Sequence, residues 1–516
     1  MNESTAGIWE RRIGGKAEFL QGIPESVRWG RTSERMMVVK RTFFSIFAAV
    51  LAATMGAGVA CGQQGNPSSA TNPFFGSVTA KSAGDGVVRL SLDEAIRRGF
   101  DNNLGLRQAE RGETVLHGQE LEALQQFLPT ISVSGGVSVH EYDLAAMGFG
   151  PGFAKKLGNL FPGGFSGISL ITKSDVTQGQ INYQQTLFSG PVIGGYRAVR
   201  AAEESAHAGK MTARGEVVQQ VATVYLAILA DRAQVENAKA QLEADRVLVE
   251  QAKARHDAGT AANLDALRAS VQFEQQQQAL IAAENQLQKH EILLKREIGV
   301  GPGQAIELTD ATPYHELTAS TLDVLRTQAY QDRQDYLNLQ AQERESRIIW
   351  QARREERLPT LSFRGNYGVT GVTGVGYHGT LVAMGTLKVP LFREGTLRGD
   401  ADVARAELDG VQMQLADLRT HIDAQVRSAL MDVDAARQLV EVAQSNVELA
   451  TEAMADENDR FAAGVDDTLP VVRAQATLAA AKSTLVASQY QYNVAKLVLA
   501  RASGVIELQY RNYLGE

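Results

Sequence analysis

The sequence predicts a mainly α-helical protein with a membrane-type β component. It is built from one unit used twice: two β-strands followed by a long coiled-coil helical hairpin. Three observations predict this. Stretches such as Glu216 to Ala258 and Val411 to Ala463 contain neither Gly nor Pro and carry apolar residues at helical spacing. Four segments of about 12 residues alternate polar and apolar side chains with period two. The order of these pieces then recurs. Arg255, Gly259, Leu264, Arg268, Ala269, Gly299 and Val300 match Arg460, Gly464, Leu469, Arg473, Ala474, Gly504 and Val505 at a constant offset of 205.

Composition limits the function. The 516 residues are 44% hydrophobic and 21% charged, enough apolar material to fold. A net charge of −8 argues against a nucleic-acid partner, which would call for a basic face. One cysteine, Cys61, excludes an internal disulfide framework. The eight histidines are scattered with no close pair, and the Gly-rich pieces lack the strand-then-helix setting of a phosphate loop. No catalytic site, metal site or cofactor is expected.

Along the chain, Lys40 and Arg41 precede FFSIFAAVLAATMGAGVA at 43–60, an apolar run ending in small residues. This is the pattern of a secretory signal peptide, and its length is at the lower limit for a membrane helix. The signal would begin at Met36 or Met37, leaving residues 1–35 as an upstream extension. Cys61 follows directly. Two readings fit: a lipidated first residue anchoring the chain, or plain cleavage after Ala60 with Gly58 where a lipidation site usually has Leu. Residues 61–88 read as a flexible leader.

The first repeat covers 89–308. Ser91 stands as a helix N-cap with Asp93 and Glu94 behind it in a helical stretch over 90–103, and a second helical stretch is expected to about Phe127, before LPT at 128–130. Strands at 130–142 and 176–188 flank a Gly-rich loop. Apolar residues at 217, 221, 224, 228, 235, 238, 242, 249 and 252 then mark a coiled-coil seam, with Asp231 and Asp245 in its gaps. Gly259 interrupts it, and a second helix runs from Asn263 to about Glu297. The second repeat, 309–510, runs the same programme: helix from Leu322, LPT at 358–360, strands at 361–369 and 377–392, and two helices broken at Gly464. IEL recurs at 306–308 and 506–508, and 511–516 is a tail.

This architecture forces an assembly. Strands of this length can cross a bilayer when tilted, but four cannot close a barrel, and open edges are not tolerated in lipid. Several chains must pool their strands. Leu381, Leu387 and Val389 would face lipid. The helices are far longer than the hydrocarbon core and too polar for it, so they must project into water.

The order LSLDEAI, helix, LPT-strand, strand, hairpin with AGTAANLDALRA, then the same again with FAAGVDDTLPVVRAQATL, resembles the TolC family of outer-membrane efflux channels over about residues 88–510. The resemblance implies a homotrimer whose twelve strands form one β-barrel in outer-membrane lipid, continuing into an α-helical periplasmic barrel that tapers to a closed tip. It also implies two partners, a periplasmic adaptor and an inner-membrane pump. The second-repeat tip would supply the periplasmic aperture: Phe461, Gly464, Asp466, Asp467, Pro470 and Arg473. The family's best-known members carry acids six and nine residues after the glycine, where this chain has Pro470 and Arg473. Its acids stand instead at Asp466 and Asp467, either as carboxylate rings in the pore or as a solvated tip. The first-repeat tip, with Gly259, Thr260, Leu264 and Asp265, would meet the adaptor. The rival reading is a periplasmic coiled-coil adaptor or scaffold with no channel. An adaptor would show one hairpin beside a compact all-β module, whereas this chain has two hairpins and barrel-like strands.

Overall fold

Period-two and period-3.6 segments separate cleanly in the computed structural model. It describes residues 70–78, 86–143, 171–260, 262–310, 315–318, 320–372, 376–463, 465 and 468–515. The signal-type segment, Cys61, Gly464, Asp466 and Asp467 lie outside the described residues.

In chain order the elements are β1 (Val88–Leu90), α1 (Leu92–Asn102), α2 (Leu104–Gln125), β2 (Thr130–Asp143), β3 (Ile171–Phe188), α3 (Gly190–Asp257), α4 (Asn263–Glu297), β4 (Ile306–Leu308), α5 (Leu322–Asp332), α6 (Gln334–Glu355), β5 (Thr360–Val372), β6 (Gly376–Lys388), α7 (Glu394–Ala462), α8 (Thr468–Ala502) and α9 (Ile506–Leu514). At about 1.5 Å per residue, α3 and α7 each run about 100 Å. No helix among the described residues is long and apolar enough to cross a membrane.

β2, β3, β5 and β6 form one antiparallel sheet in that order, and the β3–β5 pairing joins the two repeats. The register aligns Val133, Ile181, Tyr367 and Leu381 in one row across all four strands. Directly paired residues share a face, and all four are exposed, by 80%, 51%, 63% and 73%. The next row, Ser134, Gln180, Gly368 and Thr380, is polar and points the other way. β2 and β6 have no outer strand partner among the described residues. β2 and β3 have 14 and 18 residues, longer than the alternation alone marked out.

The helix before the first LPT is in two pieces, as the sequence suggested, and the one before the second LPT is also broken, where a continuous run was expected. Asn103 separates α1 from α2, and Arg333 separates α5 from α6; both take extended backbone, ψ 130° and 116°. The buried Asn103 side chain caps α2 by accepting from Gly105 N and Leu106 N. Arg333 makes no such cap: its side chain donates to Asp335, Gln425 and the carbonyl of Ala502, and Asp335 accepts from Tyr336 N at 2.9 Å. Ser91 caps α1 as expected, accepting from Glu94 N at 3.3 Å.

One expectation changes. IEL at 306–308 is strand β4, paired in parallel with β1, but IEL at 506–508 opens helix α9. The first tripeptide has Val88–Leu90 beside it; the second continues into LQYRNYL, which buries Tyr513 and Leu514. α9 therefore runs straight across the expected boundary between residues 510 and 511. The main core lies here, where α1, α3, α7, α8 and α9 converge around Val217, Tyr225, Ile422, Tyr492 and Leu514.

Candidate functional site

The two hairpin tips are the places where the sequence put function, and both are built on helix stops. At the first, Gly259 takes φ +72°, a left-handed conformation natural to glycine. Its N–H donates to His256 O at 2.8 Å, and Thr260 N donates to Arg255 O at 2.9 Å. These are the two bonds of a Schellman cap. Thr260 adds a third, its hydroxyl donating to the same Arg255 carbonyl at 2.9 Å. The second tip repeats the outer bond: Val465 N donates to Arg460 O at 3.1 Å. The far ends of both hairpins use the device again, with Val300 N on Lys295 O and Val505 N on Ala500 O, around Gly299 at φ +71° and Gly504 at φ +84°.

Around these stops the predicted residues separate into two groups. Leu264 is 54% exposed on the first turn of α4. Leu267 and Val271 continue its stripe, exposed as well. Asp265 is tucked against its own helix, 3.4 Å from Arg268 Nη1. On the second tip, Pro470 sits in the first turn of α8, where a missing N–H does no harm, and Arg473 is exposed.

Phe461 stands apart. Its ring is buried, 5% exposed, in a small apolar cluster that takes Leu248 and Ala252 from α3, Ala266 and Ala269 from α4, and Val471 from α8. Arg255 covers the ring from outside at 3.8 Å and donates through Nη2 to the Phe461 carbonyl at 2.9 Å. Phe461, expected at the aperture, is thus inside the joint between the two hairpins. Sequence reasoning missed Arg255, although it was one of the residues matched at the constant offset; its repeat partner is Arg460.

Higher up the same joint, the buried stripe of α3 drifts from the predicted seam. After Ala238 it runs through Asp245, Leu248 and Ala252, while Leu242 and Val249 are only half-buried. A straight helix of 3.6 residues per turn slips against a 3.5 repeat, which brings the gap residue Asp245 inward. Gln241 and Gln272 bond to Asp245, and one of its oxygens has no partner. Burial raises its pKa from 3.8 to about 6. Asp231, the other gap residue, instead meets His290 of α4 at 2.6 Å.

A lipid-compatible sheet face on top of two long polar hairpins matches a known family. The family model for outer membrane efflux proteins matches residues 100–300 and 325–505. The chain belongs to that family. Its relatives include the pyoverdine export outer membrane protein OpmQ of Pseudomonas aeruginosa, 24% identical over 349 residues, covering 66% of this chain and 73% of that protein. Among solved structures, a membrane protein from Pseudomonas aeruginosa matches with TM-score 0.70 at 19% identity, over 80% of this chain and 93% of the other. The CmeC outer membrane channel of Campylobacter jejuni matches with TM-score 0.68 at 15% identity, over 80% and 86%. VceC of Vibrio cholerae matches with TM-score 0.66 at 17% identity, over 80% and 96%. These likenesses show the fold: β-strands for a barrel and an α-helical periplasmic barrel. As an outer membrane efflux protein the chain is a channel component of an efflux system, located in the outer membrane and extending into the periplasm. The adaptor-or-scaffold reading gives way to this membership.

Proposed function

We propose that three copies of this chain pool their sheets into a twelve-stranded barrel and their hairpins into a periplasmic tunnel, forming a passive exit duct. The observation that carries this is the exposed apolar row Val133–Ile181–Tyr367–Leu381 on a sheet whose two edges are open among the described residues. Such a face is stable in lipid only when neighbouring sheets close the edges. The division of labour follows the repeats at 89–308 and 309–510, with 61–88 as a leader.

In this reading the first-repeat tip, Gly259, Thr260, Leu264 and Asp265, receives the periplasmic adaptor, with the exposed Leu264 as the apolar contact. An inner-membrane pump supplies the energy. The second-repeat tip forms the aperture, with Asp466 and Asp467 as carboxylate rings, Pro470 and Arg473 behind them, and Gly464 as the turn. Phe461 and Arg255 hold it shut from within the wall. Cys61 is the candidate lipid anchor. Cargo follows the pump; OpmQ, by its name, exports pyoverdine, and a chelate of that class is a reasonable first substrate to assay.

Purified protein in a planar bilayer tests the duct. Stepwise ion conductance from a cross-linkable trimer is expected; folded protein that is monomeric or never conducts overturns the reading. Asp466→Asn with Asp467→Asn is expected to reduce cation preference, and unchanged selectivity removes these two residues from the pore.

A further inference from the structure

The scattered histidines gave no metal site in sequence, but the fold brings one of them into a different company. We propose that His117, Glu120 and Glu203 form a binding site for a first-row divalent cation of the zinc class, pinning α2 to α3 on the barrel side of the helical region.

His117 and Glu120 stand one turn apart on α2, so they share a face. Glu203 comes from α3, which returns alongside after the strands. His117 Nδ1 lies 3.3 Å from Glu203 Oε1 and 3.8 Å from Glu120 Oε2. The three ligand atoms all fall within 4.8 Å of one another. Tetrahedral zinc with ligands at 2.0–2.2 Å sets its donors about 3.4 Å apart, so only small rotations of exposed side chains are needed. Imidazole with carboxylates suits zinc-class ions, and solvent supplies the remaining position.

The surroundings favour an ion here and not next door. The other oxygen of Glu120 is approached by two groups of α3, the Tyr196 hydroxyl at 3.4 Å and Arg200 Nε at 3.6 Å. Holding Oε1 in this way leaves Oε2 turned toward His117, the arrangement by which outer partners orient a ligating carboxylate. One turn further along, Glu113 also meets a histidine, His207, at 2.9 Å. There Lys210 Nζ donates to both Glu113 oxygens, at 3.0 and 2.7 Å, and occupies the carboxylate. Around His117, the ion pairs among the described residues set one guanidinium, Arg200, against the two carboxylates.

The duplication offers an internal comparison. Before its own LPT, α6 carries Arg347 and Trp350 at the places of His117 and Glu120. Gln412 of α7 donates to Glu343 at 2.9 Å, as His207 meets Glu113 in the first repeat. The same helix pairing therefore holds in the second repeat with a guanidinium and an indole in place of the ligands. The His–Glu–Glu set is not something the fold requires.

The test is calorimetric titration of zinc chloride into the full chain, folded and assembled in detergent, with thermal melts alongside. Wild type is expected to take up one zinc per chain and to melt higher with zinc present. His117→Ala and Glu203→Gln should each weaken binding more than about tenfold, and His207→Ala should bind like wild type. No zinc binding by wild type up to millimolar concentration, or equal binding by both site variants, overturns the proposal. Loss in His207→Ala alone assigns the ion to the neighbouring pair and overturns it too. Should His117→Ala fail to fold, Glu203→Gln and Glu120→Gln decide the matter in the same assay.

Discussion

Arg255 and Phe461 join the two hairpins at their tips: the guanidinium stands 3.8 Å from the ring centroid and donates to the phenylalanine carbonyl at 2.9 Å. One side chain thus makes two contacts across the interface, beside the apolar cluster. A cation over an aromatic face contributes about 0.5–2 kcal/mol, and a charged hydrogen bond about 1.5–3 kcal/mol. Arg255→Ala should loosen the second-repeat tip and raise single-channel conductance in a planar bilayer. Arg255→Lys, with one compact charge in place of a planar fork, should fall between wild type and alanine. Conductance identical in all three would show that the contact does not restrain the aperture.

Asp245 gives the tip region a pH response with a defined sign. Its folded-state pKa, about 6, lies above the ordinary value of 3.8 because burial disfavours the charge. The folded chain therefore holds this proton more tightly than the unfolded chain, and the contribution of Asp245 to stability falls as pH rises from about 4 through 6. The whole penalty, up to about 3 kcal/mol, is present at pH 8. Asp245→Asn keeps the shape and can still bond to Gln241 and Gln272. It should stabilise the helical region at pH 8 and have little effect near pH 4. Denaturant unfolding followed by helical circular dichroism at the two pH values measures this, and equal effects at both would place the origin elsewhere.

The glycines that stop the helices are not equivalent. A side chain in the left-handed region is unfavourable by about 1–2 kcal/mol anywhere. At Gly259 an added Cβ meets nothing within 4 Å, so Gly259→Ala should cost little more than that. At Gly504 the same atom would fall 2.6 Å from Arg333 N and 2.7 Å from Asp332 C, both backbone at the α5–α6 break. Gly504→Ala should therefore lower the melting temperature several times as much as Gly259→Ala. Similar losses would mean that the break at Arg333 yields readily.

Much of this was legible in the sequence because the duplication repeats its punctuation. The constant offset located four helix stops, and all four carry the same outer cap bond, from Thr260, Val300, Val465 and Val505. Alternation located the sheet. Long-range pairings were not legible. Nothing in IEL distinguishes 306–308 from 506–508; the neighbouring strand Val88–Leu90 does. The break at Asn103 was legible, but the matching break at Arg333 was not, because the two residues have unrelated side chains. Phe461 reads as a tip residue in one dimension and becomes core only when four helices meet. His117 and Glu203 are 86 residues apart, and only the return of α3 along α2 brings them together.

The sheet supplies a paired test of membrane placement. Val133 and Ser134 are neighbours on β2 and point to opposite faces, with Val133 in the row that ends at Leu381 and Ser134 in the row that ends at Thr380. Arginine on the lipid face of a barrel is unfavourable by about 2–4 kcal/mol near the midplane, whereas lumen positions tolerate charge. Val133→Arg should therefore reduce the amount of assembled trimer in outer-membrane fractions. Ser134→Arg should assemble normally and shift ion selectivity toward anions in bilayer recordings. The reverse pattern would invert the sheet, placing the apolar row on the lumen side.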